Sequence, residues 1–447
     1  AAISNGTTLD VASTSSIGAN ITTSGTQTYT GAVTLTAATT LTTTNSDITF
    51  SSTVNADTAG RALTISQGTG DTTFTGAVGA TTALGNMTIT TNGLSAAAIK
   101  LQGTLNITNS GTSSITGIIS DGATAAILTK AGAGTLTLSG ANTYTGATSI
   151  NAGTLAVTVN NALGTNTAGT TIASGATLDL QNVTYSTTEA LTVNGGTIKT
   201  STGTSSFAGA ISLTANSTID VSGTQLTLSG IISSTSTYSV TKSSSGTLIL
   251  SGANTYTGAT TISAGVLRAT NNTALGTTAG GVTVASGAAL ELSGGITIGA
   301  EALTLNNAGV SSGGALRNIS GNNTYQGAIT LSTNAVRINS DSGTLTLSGN
   351  ITNSTLGLTV GGVGDTSISG IIGNGAGTLT KDGTGTLTLS GANTYSGGTT
   401  ISNGVVKAGI APVGSITSGA FGTGSVTVSS GGAIDLNTYT VPNLLSL

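Results

Sequence analysis

The run "GVSSG" at Gly309 to Gly313 has the G-x-S-x-G spacing in which a serine is held on a tight turn as a nucleophile. That serine would need a base, and the 447-residue chain contains no histidine. Serine and glycine are so abundant here that the match reads as chance. Asp179, Glu291 and Asp435 recur in one slot of three related phrases, "ASGATLDL", "ASGAALEL" and "SSGGAIDL". Carboxylate pairs that cleave glycosides sit about 5–10 Å apart. These three lie 112 and 144 residues apart, in separate repeats, and are expected to be outward charges that aid solubility. "GGVGD" at Gly361 to Asp365 matches part of a calcium-binding nonapeptide, but once only, and such sites need tandem copies. With neither His nor Cys, a zinc ligand set is not available. The chain is therefore read as a non-enzyme with no catalytic, metal or cofactor site.

What scaffold do such residues decorate? Only 5% of residues are charged and 3% aromatic, against 68 glycines and two prolines. Ordinary domains carry about 25% charged residues, and disordered chains are charged and proline-rich. What remains is Thr, Ser, Gly, Ala, Asn and aliphatic residues in short alternating runs, which form strands and turns. A net charge of −4, with ten basic residues scattered along the chain, gives nucleic acid no basic patch to bind. No apolar run approaches the roughly 18 residues of a transmembrane helix. The opening "AAISNGTTLD" has no Met, and the chain reads as a segment of something longer.

"GTLTLSGANTYTG" at Gly134 to Gly146 returns as "GTLILSGANTYTG" at Gly246 and as "GTLTLSGANTYSG" at Gly385. Each copy follows a lysine (Lys130, Lys242, Lys381), and upstream lie "TGII" or "SGII" at Thr116, Ser229 and Ser369. "ALG" or "AFG" follows at Ala162, Ala274 and Ala420. A looser phrase, an aromatic followed two places on by a glycine, marks Tyr29, Phe74, Tyr144, Phe207, Tyr256, Tyr325 and Tyr395. Their intervals are near-multiples of roughly 23 residues, and Leu155 to Leu178 and Leu267 to Leu290 are also 23 apart. Three strands of about five residues joined by short turns make a triangular coil of that length. The sequence predicts one continuous all-β parallel β-helix over residues 1–447, with about 19–20 coils. At about 4.8 Å per coil it would be a rod of roughly 90–100 Å. Close copies span 130–180, 242–292 and 381–436, with looser repeats around 25–100, 200–232 and 320–350. The third copy has about five extra residues around "GIAPVGSITSG", expected as a corner loop.

Within this coil, Gly140, Gly252 and Gly391 mark corners that need positive φ or close packing. Asn142, Asn254 and Asn393 are expected to be turn formers bonding the local backbone. Tyr144, Tyr256 and Tyr395 read as rings packed over a corner with the hydroxyl reaching water or backbone, the alternative being sugar-contacting aromatics.

The phrases "GTLTLSGANTYTG", "ALG" and "SGATLDL" together resemble the autotransporter-associated β-strand repeat, found in passenger regions of Gram-negative autotransporters and related giant surface adhesins. The resemblance implies a right-handed parallel β-helix, export across the outer membrane, and a place at the extracellular surface in adhesion, aggregation (biofilm) or display. No outer-membrane barrel and no inserted effector domain accompany the repeats in this chain. The expected function is a structural or adhesive surface fibre, with host-cell, matrix or polysaccharide surfaces as partners. One alternative is a self-associating filament subunit joined end to end through open strand edges. A remote alternative is a Thr-rich face binding ice or carbohydrate. Runs such as Thr34 to Phe50 suggest it, yet Thr-x-Thr drifts along the sequence instead of recurring at a fixed period.

Overall fold

Runs such as Val33–Leu35, Ile48–Phe50 and Thr135–Leu138 alternate buried with part-exposed positions, because successive strand side chains point to opposite faces. The computed structural model describes all residues except 1, 374, 412–417, 441–442, 444 and 447, and not the side chain of 445. Every pairing between described strands is parallel, for example Leu63–Ser66 with Met87–Thr91 one coil on. The fold is an all-β parallel β-solenoid of about 19 turns. The one helical element among the described residues is the 3-10 turn Val310–Ser312. The extra stretch of the third copy falls largely on 412–417, outside the described residues.

Two units pack internally, Ala1–Thr218 and Ile219–Leu447. In the first, successive coils stack strands on the first and second sides, and some coils add a third-side strand where others have a corner without one. Thr39–Thr42 lies on the first side, Ile48–Phe50 on the second and Val54–Ala56 on the third, before Leu63–Ser66 stacks on the first again. Inward residues stack coil on coil. Leu136, Leu155 and Leu178 are register partners, and the rings of Tyr29, Phe50 and Phe74 stack at 4.9 Å spacing within 9° of parallel. The second unit repeats the plan, with Leu248, Leu267, Leu290, Leu316 and Ile338 in one inward column.

The coil averages roughly 21 residues, not 23. Register steps between strands run from 17 residues (Gly6 to Thr23) to 28 (Gly404 to Gly432). Leu155–Leu178 and Leu267–Leu290 are true register partners, but both intervals enclose the "ALG" corner, which is a long one. Nor do the seven aromatics share one column. Phe74 belongs to the second side of the first unit, whereas Tyr144 follows Thr135–Leu138 of that side and so lies one side further on. In the second unit, Tyr325 belongs to the sheet that also holds Thr386–Leu389, and Tyr395 follows that strand onto the next side.

Leu267→Ala removes a side chain packed between Leu248 and Leu290, and is expected to cost about 2–5 kcal/mol. The outward Thr261→Ala should stay within about 0.5 kcal/mol. Hydrogen exchange in Thr247–Leu250 and Ala288–Ser293 reads the difference, since a solenoid need not unfold in one step.

Candidate functional site

The recurring phrase builds the same corner three times, and each recurring residue serves the stacking of one coil on the next. Lys130, Lys242 and Lys381 point inward from their strands and are buried. The Lys130 Nζ donates to the carbonyls of Ala131 (2.8 Å) and Gly132 (2.8 Å), and to Ala152 of the next coil (3.2 Å). Lys242 repeats this with Ser243 (2.9 Å), Ser244 (2.6 Å) and Ala264 (3.0 Å), and Lys381 donates to Gly383. Burial pulls the Lys130 and Lys242 amines down to about 8 and that of Lys381 in the same direction. Carbonyl acceptors for all three protons of Lys130 and Lys242 hold the charged form in place.

Asn142, Asn254 and Asn393 do not bond their local backbone. Each side chain joins the coil before to the coil after. The Oδ1 of Asn142 accepts from the amide of Ile119 (2.8 Å) while its Nδ2 donates to the carbonyl of Ala162 (2.5 Å). Asn254 links Ile232 (2.8 Å) to Ala274 (2.7 Å), and Asn393 links Ile372 (2.7 Å) to Ala420 (2.7 Å). These bonds close the ladder where the strand is interrupted at the corner. The "TGII", "SGII" and "ALG" phrases recur because they supply the partners.

Tyr144, Tyr256 and Tyr395 are fully buried, and each hydroxyl bonds a threonine four residues on, Thr148, Thr260 or Thr399, at 2.6 Å. None offers a ring to a sugar. The glycine of each "ALG" or "AFG" lies against the ring in a left-handed conformation. At Gly276 (φ +87°) a Cβ would fall 2.5 Å from the Tyr256 carbonyl oxygen and 3.0 Å from its ring. Gly140, Gly252 and Gly391 have ordinary φ and are required by crowding. A Cβ at each would sit 2.2–2.3 Å from a glycine carbonyl of the preceding coil. Among the other marked aromatics, Phe207 stacks on Tyr185 (5.4 Å), and Tyr325 is buried without a partner for its hydroxyl.

The acidic slot is covered at Asp179 and Glu291, whereas at Asp435 it remains an exposed outward charge. Glu291 is 2% exposed and bridges two coils, with Arg268 at 2.8 Å and Arg317 at 2.9 Å. Arg317 continues to Asp341 (2.5 Å), and Arg337 pairs with both oxygens of Asp382, at 2.6 and 3.0 Å. Asp179 accepts from the amide (2.9 Å) and hydroxyl (2.7 Å) of Ser201, and Asp435 faces Lys407 at 3.4 Å. "GVSSG" forms the 3-10 turn, with Ser311 and Ser312 exposed at φ +49° and +58°, so no strand-to-helix elbow carries a nucleophile. Asp365 of "GGVGD" accepts the amide of Thr386 (2.8 Å).

Two buried acids escaped the sequence reading. Glu189 accepts from Thr170 Oγ1 (2.8 Å), its other oxygen has no partner, and Tyr144 and Tyr185 lie near it. Glu301 lies beside Tyr256 and Tyr325. Burial pushes both carboxyls up to about 7. The signal was present: "EALT" occurs at Glu189 and again 112 residues on at Glu301, the interval that separates Lys130 from Lys242.

With these corners in view, the comparison with known families is specific. Residues 128–157, 240–269 and 379–408 match the passenger-associated-transport-repeat. Each matched segment is 30 residues long, and together they cover about a fifth of the chain. Each begins on the strand of the buried lysine and ends with the second strand after the tyrosine corner. Comparison with curated proteins and with solved structures returned no match. The repeat family is one of secreted or surface-displayed proteins of Gram-negative bacteria.

Two outcomes are expected. Asn254→Leu should cost about 2–4 kcal/mol, because it strands the Ile232 amide and the Ala274 carbonyl. Exchange protection at the Ile232 amide should fall first. Glu189 and Glu301 hold their protons more tightly folded than unfolded, so they favour folding at low pH. That contribution is lost as pH rises from about 4.5 through about 7, roughly 3 kcal/mol each. The melting temperature should fall between pH 5 and pH 8, and the double variant Glu189→Gln/Glu301→Gln should flatten the profile.

Proposed function

We propose that the chain is a passenger-type β-solenoid shaft of a surface-displayed protein, and that its work is mechanical. One observation carries the reading: the motif residues are spent inward, and the motif does not keep to one side. Within the second unit, the strand of Lys242 stacks beneath Thr260–Ile262, Val282–Val284 and, six coils on, Ile372–Gly373. The strand of Lys381 stacks instead in the sheet that holds Thr247–Leu250 of the Lys242 copy. The second and third copies are therefore turned by one side. A binding motif shared by the copies would be expected to line one face, whereas a stacking motif is indifferent to side. The outward residues are left free for adhesion to a cell, matrix or polysaccharide surface, in an extracellular setting.

Limited trypsin digestion with sedimentation velocity tests this. The native chain is expected to resist cleavage at Lys130, Lys242 and Lys381 until denaturant is added, and to sediment as one species across a hundredfold concentration range. Rapid native cleavage at those lysines would sink the shaft. Species that grow with concentration would favour the filament reading instead.

A further inference from the structure

Coil register aligns one slot across the three copies. Leu191, Leu303 and Leu445 pair with Thr170, Val282 and Val426, which stack on the strands that follow the tyrosine corners. Two residues before these leucines stand Glu189, Glu301 and, in the third copy, Asn443. Asn443 shows what the slot asks for. Its Nδ2 donates to the carbonyls of Gly422 (3.2 Å) and Gly424 (2.7 Å), on either side of Thr423. The Thr423 amide in turn donates to the Tyr395 carbonyl at 2.9 Å. The slot thus uses a hydrogen-bond donor. A carboxylate has no proton to give, whereas a neutral carboxylic acid has one.

We propose that Glu189 and Glu301 are proton-operated latches: as neutral acids they keep their corners closed, and on losing the proton they let those corners open locally, while Asn443 keeps the third corner closed at every pH. Both acids are shut away from water, at 1% and 2% exposure. One Glu189 oxygen accepts from the Thr170 hydroxyl and the other has no partner, as suits an oxygen that carries a proton. The titratable groups facing Glu189 are the hydroxyls of Tyr144 and Tyr185, and those facing Glu301 are Tyr256 and Tyr325. Burial pushes all four hydroxyls up, so they stay neutral, and no ion pair reaches either acid among the described residues.

The next coil closes over each acid. A Cβ at Gly209 would fall 1.7 Å from the Glu189 carbonyl oxygen, and one at Gly327 would fall 1.6 Å from that of Glu301. These glycines belong to the looser aromatic-x-Gly phrases of Phe207 and Tyr325, which gives those phrases a role outside the three close copies. A carboxylate beneath them gains water only when the corner lifts. Each acid ionises near 4.5 once exposed and near 7 while covered, so opening grows across that interval and levels off above it.

Hydrogen exchange read by mass spectrometry on the whole chain, at pH 5 and pH 8 and corrected for intrinsic exchange rates, tests this. Thr165, Thr277 and Thr423 are matched reporters, since each donates its amide to the carbonyl of its copy's corner tyrosine. Protection at Thr165 and Thr277 should fall by roughly tenfold or more between the two pH values, while that at Thr423 holds. Glu189→Gln supplies an amide donor, and should abolish the pH dependence at Thr165 while leaving it at Thr277. Glu301→Gln should do the converse. The three-copy comparison within the wild type needs no variant, so it stands even if a glutamine variant folds poorly. Equal pH dependence at all three reporters would overturn the proposal. So would none at Thr165 and Thr277, or a single variant that abolishes both effects.

Discussion

The in-register ladder between successive coils is the constraint on which everything else in this protein rests. Each strand hydrogen-bonds its counterparts one coil before and one coil after, so a backbone group that leaves a strand at a corner must find a partner at the same axial level. The three segments that match the passenger-associated-transport-repeat are solutions to that problem. An asparagine spans two coils where the strand lapses, a lysine ammonium collects corner carbonyls, and glycines let one corner lie on the next with no Cβ between. The tyrosine beside them fills the interior and satisfies its hydroxyl with a threonine on the adjoining strand. Removal of any one leaves a buried group without a partner, which costs more than the bond itself contributes.

Charge follows the same logic. In a chain where 5% of residues are charged, ionic groups might be expected to stay at the surface. Three of the arginines are instead drawn into pairs between coils, and Glu291 holds two of them while nearly excluded from water. Glu189 and Glu301 go further, buried against tyrosines with no ion-pair partner among the described residues. These acids make the interior sensitive to pH in the range of ordinary surroundings. The ion pairs between coils tie neighbouring turns together with a geometry that hydrophobic contact alone would not specify.

Inside and outside are consequently under different rules. Inward positions must match the coil before and the coil after, and outward positions need only remain compatible with a half-exposed strand. The motif can therefore turn from one side to the next between copies without disturbing the stack. The outer columns are correspondingly free to vary, as where Thr88 on the first side has Asn106 as its partner one coil on.

Local rules are legible in a linear chain, and they determined much here. Alternation of threonine with aliphatic residues dictates strands, glycine-rich phrases dictate corners, and a phrase used three times dictates a repeat. The absence of histidine removes the base that "GVSSG" would need. None of this depends on which coil a residue meets. The partner of a given residue does, and it lies 17 to 28 positions away, set by corner lengths that leave no local mark. For that reason the parallel β-helix could be read from the sequence, while the roughly 21-residue coil could not. Asn254 could be recognised as a corner residue, but its bonds to Ile232 and Ala274 could not be seen. Glu291 looked like a solvated charge until Arg268 and Arg317, 23 and 26 residues away, were brought to its two sides. A solenoid writes its strands and corners locally, and only the stacked structure decides which residues share a level.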